Sequence, residues 1–161
     1  TLMLLCNQVE HIRKDILAVT REIRRLSRTD RYKENYSLLT SVPGFGLITS
    51  MSMLTELDNN PMRFPNERKF VAILGLIPTC HDSGEKKAVG EKTNRGSKQL
   101  GPLIIEASWV AIQKDKGLGA YYCGCCQRMK PHKAIIKVAR KLACRAYAVL
   151  KTKTKYKYEQ S

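Results

Sequence analysis

The sequence predicts an all-α protein in which a long N-terminal coiled-coil helix precedes a compact helical domain with a helix-hairpin-helix. Three observations support this fold class. Apolar residues recur at steps of three and four over residues 2–26 and again over 133–150. A Pro-Gly-x-Gly turn separates two short apolar helical stretches. Apolar residues are 43% of the 161, enough for the core of one domain of ordinary size.

The first helix carries a heptad seam that lasts for more than three repeats. Its members are Leu2, Leu5, Val9, Ile12, Ile16, Val19, Ile23 and Leu26. This pattern indicates a coiled coil, so we expect a homodimer or a higher homo-oligomer formed through residues 2–26. The alternative is a long amphipathic helix that docks on its own domain. The outer face carries mixed charges, which is typical of a solvated surface.

The helix-hairpin-helix follows a polar hinge at residues 27–35. Residues 36–40 end one short helix, and Leu47 to Leu57 form the next. Glycine at Gly44 and Gly46 lets the backbone approach a phosphate closely, and the N–H groups that begin the second helix favour an anion. We therefore predict DNA contact at these two glycines. A purely structural turn is the alternative.

Two further helices are expected before residue 115, and a third, described below, follows residue 132. A short one begins at Asn66 or Glu67 and ends at Gly75, since glycine often terminates helices. Another follows a cap at Ser97, runs to about Lys114 and buries one face, formed by Leu103, Ala107, Val110 and Ala111. Residues 115–132 are predicted to be irregular, because three glycines and a proline interrupt them.

The last helix, residues 133–150, has an apolar stripe and a separate cationic stripe. The cations are Lys133, Lys137, Arg140 and Lys141. We predict that Lys137 and Lys141 bind DNA, because such a stripe can follow a phosphate backbone. A solvated positive face is the alternative. The basic tail, 151–161, is expected to be frayed, so the predicted divisions are 1–30, 31–150 and 151–161.

The charge balance narrows the class of partner. Lys and Arg number 29 against 14 Asp and Glu, a formal charge of +15. This excess indicates a polyanion, with nucleic acid first and an anionic membrane surface second. No apolar run approaches the roughly 20 residues of a membrane span, so we expect no membrane partner. Because residue 1 is Thr, we expect the chain to be a piece of a longer, cytoplasmic protein.

The six cysteines suggest one metal hypothesis. Cys123, Cys125 and Cys126, with His132, are a conceivable zinc set. Their spacing is C-x-C-C rather than C-x-x-C, and no second pair answers it. We therefore expect no metal site in this chain and reduced thiols, with a zinc-dependent nucleic-acid binder as an alternative function.

The polar stretch after residue 78 carries the candidate chemistry. Ser83 stands beside Gly84 and precedes a group of cations, Lys86, Lys87, Arg95 and Lys98. A hydroxyl can attack a phosphodiester, and cations can stabilise charge on the phosphate oxygens. We predict Ser83 as the catalytic nucleophile and those four cations as DNA ligands. His81 is a candidate base, and an ordinary surface turn is the alternative.

Three blocks of sequence, in this order, resemble one family. They are 39–46, LTSVPGFG; Arg63-Phe64 with 74–78, LGLIP, and Ser83-Gly84; and 95–100, RGSKQL. Over about residues 36–150 the chain resembles the C-terminal transposase domain of the DEDD-type insertion-sequence transposases. Piv-type DNA invertases and bridge-RNA-guided recombinases belong to that group.

The resemblance implies that Ser83 cuts and rejoins DNA strands through a covalent serine–DNA phosphodiester. It also implies an N-terminal RuvC-like domain whose four acidic residues bind Mg²⁺. No such set occurs here, so we expect a C-terminal portion that needs no cofactor of its own and cannot exchange strands alone. The implied partners are DNA and, in guided members, a guide RNA, in the bacterial nucleoid.

One departure from the family pattern concerns the residue after the 95–100 block. The family usually places an arginine there, and this chain has Gly101. If that arginine holds the scissile phosphate, Arg95 or Lys98 must replace it, or this copy is impaired. A non-catalytic DNA-binding and dimerisation module therefore remains the main alternative function.

Overall fold

The computed structural model describes residues 1–76, 78–81, 88–92 and 99–158, with the backbone alone for 78–81 and 88–92. Within these ranges the protein is helical, as predicted, with one added two-stranded sheet. The elements are α1 Leu2–Ser27, α2 Lys33–Leu39, α3 Leu47–Glu56, α4 Glu67–Ile73, β1 Pro78–His81, β2 Ala88–Lys92, α5 Leu100–Lys114, α6 Lys116–Cys126 and α7 Pro131–Thr152. No helix in the described part of the chain has both the length and the apolar character needed to cross a bilayer.

Helix α7 forms the centre of the domain, in contact with α2, α4, α5 and α6. Its predicted apolar stripe is buried, and small residues such as Ala143 and Ala146 let the neighbouring helices approach closely. The Tyr147 hydroxyl donates to the Phe64 carbonyl oxygen at 2.6 Å. The Tyr147 ring also stacks on Phe70, with the ring centroids 5.1 Å apart. These contacts fix α4 and the loop before it against α7.

Helix α1 is exposed along most of its length. The seam residues from Leu2 to Val19 each leave between 49% and 76% of their surface in solvent. Near its C-terminal end, Ile23 packs against the core and Ser27 is buried. The alternative of a helix docked along its own domain is therefore wrong for residues 2–19.

The polar stretch before α5 contains a two-stranded hairpin that the sequence did not predict. Strands β1 and β2 pair antiparallel, with His81 opposite Ala88 and Thr79 opposite Gly90. Thr, Cys and Val suit a pleated strand, and the short local pairing leaves no helical or alternating pattern long enough to recognise. Gln99 directly precedes the first residue of α5, and Ser97, the predicted cap, lies outside the described residues.

The prediction of an irregular segment at residues 115–132 is wrong over α6. The Asp115 side chain accepts a hydrogen bond from the Leu118 N–H at 2.9 Å and so caps the helix. Glycine at 119 is used for packing, because an added Cβ would lie 2.8 Å from the Ile112 carbonyl oxygen of α5. Tight packing between α5 and α6 outweighs the low helix propensity of glycine.

A smaller correction concerns the buried face of α5. Val110 is 40% exposed rather than buried, whereas Ala107 and Ala111 are buried as predicted. The face of α5 in the core also includes Ile104 and Ser108, which places Val110 on its margin. Trp109, beside it, makes an edge contact with Tyr122 of α6.

The described part of the tail is docked rather than frayed. Tyr156 donates its hydroxyl hydrogen to the buried Asp115 carboxylate at 2.5 Å. Its backbone N–H donates to the Ser41 hydroxyl oxygen at 2.9 Å. Lys153 donates to the Asn35 side-chain oxygen at 2.6 Å. These contacts connect the tail to α2, to the turn after α2 and to the α5–α6 junction. Because the contacting residues are far apart in the sequence, no local sequence pattern predicts the contacts.

Asp115 is a charged group held inside the protein. Burial alone would raise its pKa, but the hydrogen bonds from Tyr156 and Leu118, together with Arg145 at 3.4 Å, leave the pKa below its usual value. Because the folded-state pKa is lowered, this carboxylate stabilises the fold above its ordinary pKa of 3.8. We expect that stabilisation to be lost as the pH falls through the lowered value.

Replacing the tail's anchor tests this junction. The Tyr156→Phe variant keeps the ring but removes the donor to a buried carboxylate, so we expect the free energy of unfolding to fall by roughly 1–3 kcal/mol. The control is Tyr158→Phe, because Tyr158 is largely exposed and should change the value by less than about 0.5 kcal/mol. Urea unfolding at neutral pH measures both. Equal stability of the two variants would contradict the docked tail.

Candidate nucleic-acid interface

The turn between α2 and α3 shows why glycine is needed at position 44. Gly44 has a φ of +82°, a conformation that L side chains rarely adopt. A Cβ built there would lie 2.0 Å from the Ala107 carbonyl oxygen. Phe45 is buried and fixes the same turn in the core. The close backbone approach made by Gly44 is therefore to α5, which gives this glycine a packing role.

Gly46 is placed differently and keeps the geometry expected for an anion contact. It is exposed, it directly precedes α3, and a Cβ added to it would meet no atom within 4 Å. The first N–H groups of a helix carry partial positive charge, which favours a phosphate at this end. DNA contact at Gly46 stays a prediction on this geometry.

A basic groove runs between α4, α6 and α7. It has a volume of about 380 Å³ and is lined by Glu67, Arg68, Val71, Tyr121, Lys137, Arg140, Lys141 and Cys144. Lys137 and Lys141, both predicted from the sequence, therefore lie on one surface together with Arg140. We call this surface the basic groove. Its four cations against one carboxylate make it a local concentration of positive charge suited to a polyanion.

Arg68 also lines the basic groove, although it is not part of the cationic stripe of α7 and was not predicted as a DNA ligand. It stands exposed on α4, a helix that packs against α7 about seventy positions later in the chain. The short helical stretch that contains Arg68 does not indicate which other helix lies beside it. Its place opposite Lys137 and Arg140 depends on the tertiary contact between α4 and α7.

Tyr121 of α6 forms the aromatic part of the groove. The Lys141 ammonium lies over its ring, with Nζ 4.5 Å from the centroid. This cation–π contact holds a long, flexible side chain in the groove. Burial raises the pKa of the Tyr121 hydroxyl, so the phenol is neutral at ordinary pH and adds no negative charge.

Two acidic groups of the groove differ in their charge. Burial, followed by the neighbouring Glu67 carboxylate, raises the pKa of the Cys144 thiol. Cys144 is therefore neutral at ordinary pH, and a raised pKa gives it little thiolate character. Glu67 remains the single carboxylate among the groove residues.

The groove continues into a neighbouring depression of about 320 Å³ along α6. The two share Tyr121 and Lys137, and Arg128 adds a further cation from the loop before α7. The basic surface thus extends past the single depression, as a ligand with many phosphates would require.

The predicted catalytic stretch falls outside the described residues. Ser83, Lys86, Lys87, Arg95 and Lys98 all belong to the ranges 82–87 and 93–98. His81 ends β1, where its backbone position pairs with Ala88. Gly101 is buried in the first turn of α5. As a glycine, it has no side chain that could contact a phosphate. The assignments of these residues stay predictions.

The cysteines do not converge within the described part of the chain. Cys125 is buried and Cys123 is exposed, although both lie on α6. Among the described residues, no three His, Cys, Asp or Glu side chains stand together in a way that could hold a metal ion. The zinc hypothesis therefore gains no site from this structure.

Comparison with known proteins identifies the family. Residues 36–123 match the family model for the transposase IS116/IS110/IS902 family. The chain is 29% identical over 110 residues to the transposase for insertion sequence element IS1328 of Yersinia enterocolitica, covering 68% of this chain and 30% of the relative. It is 26% identical over 91 residues to the transposase for insertion sequence element IS1111A of Coxiella burnetii, covering 56% of this chain and 25% of that relative.

The match to these relatives is partial in length, because the chain spans about a third or less of each. The matched region begins in α2 and ends in α6, so it includes the α2–α3 turn, the hairpin and the Tyr121 side of the basic groove. It also includes both ranges that hold the predicted catalytic residues. Because the family model matches more than half of the residues of this chain, the chain belongs to the transposase IS116/IS110/IS902 family.

Proposed function

We propose that this chain is the C-terminal part of a DNA transposase or site-specific recombinase. In this role it binds DNA and supplies Ser83 as the nucleophile for strand cleavage and rejoining. The observation that supports DNA binding most directly is the basic groove, where Arg68, Lys137, Arg140 and Lys141 line one surface. Family membership supports the transposase role.

The proposed reaction exchanges one phosphodiester for another. The Ser83 oxygen forms a bond to a backbone phosphorus, while the bond from that phosphorus to a deoxyribose oxygen breaks. The hydroxyl proton passes to a base, and the released deoxyribose oxygen takes up a proton to become a free hydroxyl. Attack by a DNA hydroxyl on the serine-linked phosphorus reverses these steps, so the strands rejoin without ATP.

The cations of the predicted stretch have a separate part in this proposal. Arg95 and Lys98 would hold the oxygens of the reacting phosphate, where charge builds up in the transition state. Lys86, Lys87 and the basic groove would bind phosphates further along the DNA backbone. We further propose that Mg²⁺ belongs to an acidic RuvC-like domain outside this chain, so the chain alone should bind DNA without exchanging strands.

Two partners complete the proposal. The exposed seam of α1 supports association with a second copy of the chain, because a row of apolar side chains in solvent favours burial against a matching helix. The resemblance to guided recombinases supports a guide RNA as a second polyanion. Both would be held with the DNA in one assembly.

A second candidate function is a DNA-binding and dimerisation module without catalysis. The observation in its favour is Gly101, which stands buried where the family usually has an arginine. Such a module would bind DNA through the same groove. It would form no covalent link to DNA under any condition, which distinguishes the two candidates.

The salt dependence of DNA binding tests the groove. Each lysine that contacts a phosphate releases condensed counterions, and log K therefore falls as log salt rises. Lys137→Ala and Lys141→Ala should each make this negative slope shallower by about 0.9. The slopes come from fluorescence anisotropy titrations of labelled duplex DNA at several salt concentrations.

The matched control is Lys14→Ala on the outer face of α1. Lys14 is exposed like Lys137, yet it lies on the helix with mixed charges. The Lys14→Ala variant removes the same charge from the protein as the other two variants. Because Lys14 is not among the residues that line the basic groove, this variant should leave the slope almost unchanged. Equal losses in all three variants would show that net charge, rather than the groove, binds the DNA.

A further inference from the structure

We propose that the depression beside the basic groove takes one unpaired base of a DNA strand, stacked on Tyr121, while the groove holds the phosphates next to that base. The inference rests on the proposed DNA binding of the groove and adds the form of DNA that this surface prefers. It follows from the lining of the depression, from the place of Tyr121 between the two cavities, and from the cations on either side.

The depression differs from the groove in chemical character. We call it the α6 depression, and its lining residues are Tyr121, Gly124, Cys125, Arg128, Met129 and Lys137. Apart from two cations, they provide an aromatic ring, a thioether, a buried thiol and a glycine without a side chain. A phosphate gains nothing from such apolar groups, whereas the flat face of a base is stabilised by contact with them.

Tyr121 and Lys137 stand at the boundary between the two cavities, because both residues line the groove and the α6 depression. Lys141, whose ammonium lies over the Tyr121 ring, lines the groove and is not among the residues that line the α6 depression. The cation therefore lies on the groove side of the ring. The side of the ring toward the α6 depression is left for a base.

The Tyr121 ring is held in place before any ligand binds. Its hydroxyl makes a hydrogen bond with the buried Cys125 thiol, and the Lys141 Nζ lies 4.5 Å from the ring centroid. A side chain that is already fixed loses little conformational freedom when a ligand packs on it. Every base has a flat face, so stacking on this ring would not depend on sequence.

The cations around the α6 depression suit the phosphates of a stacked nucleotide. Lys137, at the boundary, would contact the phosphate that leads into the groove, where Arg68 and Arg140 would contact the next one. Arg128 would contact the phosphate on the other side of the base. The volume of about 320 Å³ lies at the lower end of the roughly 300–1,000 Å³ that small-ligand sites occupy, as expected for a single base.

An intact duplex would leave the α6 depression empty. Its bases are stacked and paired inside the double helix, and only its phosphates would reach the protein surface. A paired base must first lose its stacking and pairing before it enters a pocket, whereas an unpaired base meets no such cost. We therefore expect the α6 depression to add affinity for a single strand and none for an intact duplex.

Filling the α6 depression tests this inference. Gly124 is exposed on α6, and a Cβ added there would meet no atom within 4 Å, so Gly124→Leu adds bulk to the depression without a clash. Leucine also favours a helix more than glycine does. In anisotropy titrations we expect the affinity for labelled oligothymidine to fall about tenfold, because the stacked base is lost. The slope of log K against log salt should stay the same, since no charge is removed.

The affinity of Gly124→Leu for the same strand annealed to oligoadenosine should be nearly unchanged. Tyr121→Leu, which also keeps the charge, should reproduce this selective loss. The matched control is Ala120→Leu, because Ala120 is exposed on the same helix and is not among the residues that line either cavity. It should leave both affinities unchanged, and helical circular dichroism should show that all three variants fold.

The outcomes separate the base site from the proposed function. Equal losses on the single strand and the duplex, or no loss in folded Gly124→Leu and Tyr121→Leu, would overturn the base site. DNA binding by the groove would still stand if Lys137→Ala and Lys141→Ala make the duplex slope shallower. A loss with oligouridine RNA but not with oligothymidine would overturn DNA as the occupant.

Discussion

The Ser83→Ala variant is expected to lose strand cleavage and rejoining while it keeps its affinity for DNA. Removing a nucleophile that forms a covalent intermediate costs many powers of ten in rate, and we expect a loss of at least ~10³-fold. The assay uses this chain joined to the acidic domain that the family resemblance implies. The substrate is DNA from the ends of the insertion element, and the readout is the covalent protein–DNA adduct and the rejoined product.

The control for this loss is Ser97→Ala. It removes another hydroxyl from the same polar stretch, fourteen residues after Ser83, and should leave the adduct yield close to that of the unaltered protein. Anisotropy titrations should give both variants the same DNA affinity. Full adduct formation by the Ser83→Ala protein would show that another group attacks the phosphorus.

The Gly44→Ala variant should be the most destabilised single substitution in the α2–α3 turn. The positive φ of 82° costs a non-glycine residue about 1–3 kcal/mol. The added Cβ would also meet the Ala107 carbonyl oxygen at 2.0 Å, and overpacking typically costs a further 1–3 kcal/mol. We therefore expect the free energy of unfolding to fall by roughly 3 kcal/mol or more, measured by urea denaturation followed by helical circular dichroism.

Gly46→Ala is the matched control, two residues later in the same turn. Its φ is −95° and its surroundings are open, so only the poorer helix-capping preference of alanine remains, at about 1 kcal/mol or less. A larger loss for Gly46→Ala than for Gly44→Ala would contradict the packing role of Gly44. DNA affinity that falls in Gly46→Ala, at unchanged stability, would support the predicted anion contact at α3.

The predictable parts of the fold are those with a strong local signal. The heptad period of α1, the Pro-Gly-x-Gly turn and the apolar stripe of α7 each led to the observed element. Gly75 follows the end of α4, as predicted, and has a positive φ. Helix α6 was missed because its three glycines suggested breaks. The signal that could have revealed it was Asp115, a favoured capping residue at the start of a short apolar pattern.

The basic groove was only partly predictable for a physical reason. A helical period places Lys137 and Lys141 on one stripe, because residues four apart share a face. Nothing in that period says which other helices stand beside the stripe. Arg68 and Tyr121 reach the groove through the packing of α4 and α6 on α7, as Tyr156 reaches Asp115 through the folding back of the tail. Contacts of this kind depend on tertiary structure.

The most direct test of the central claim is to locate the covalent bond between protein and DNA. Element-end DNA is incubated with the assembled protein, the reaction is stopped with denaturant, and the adduct is digested and analysed by mass spectrometry. We expect a nucleotide attached to the peptide that contains Ser83. A nucleotide attached to any other residue would contradict it, as would cleaved DNA with no attached peptide.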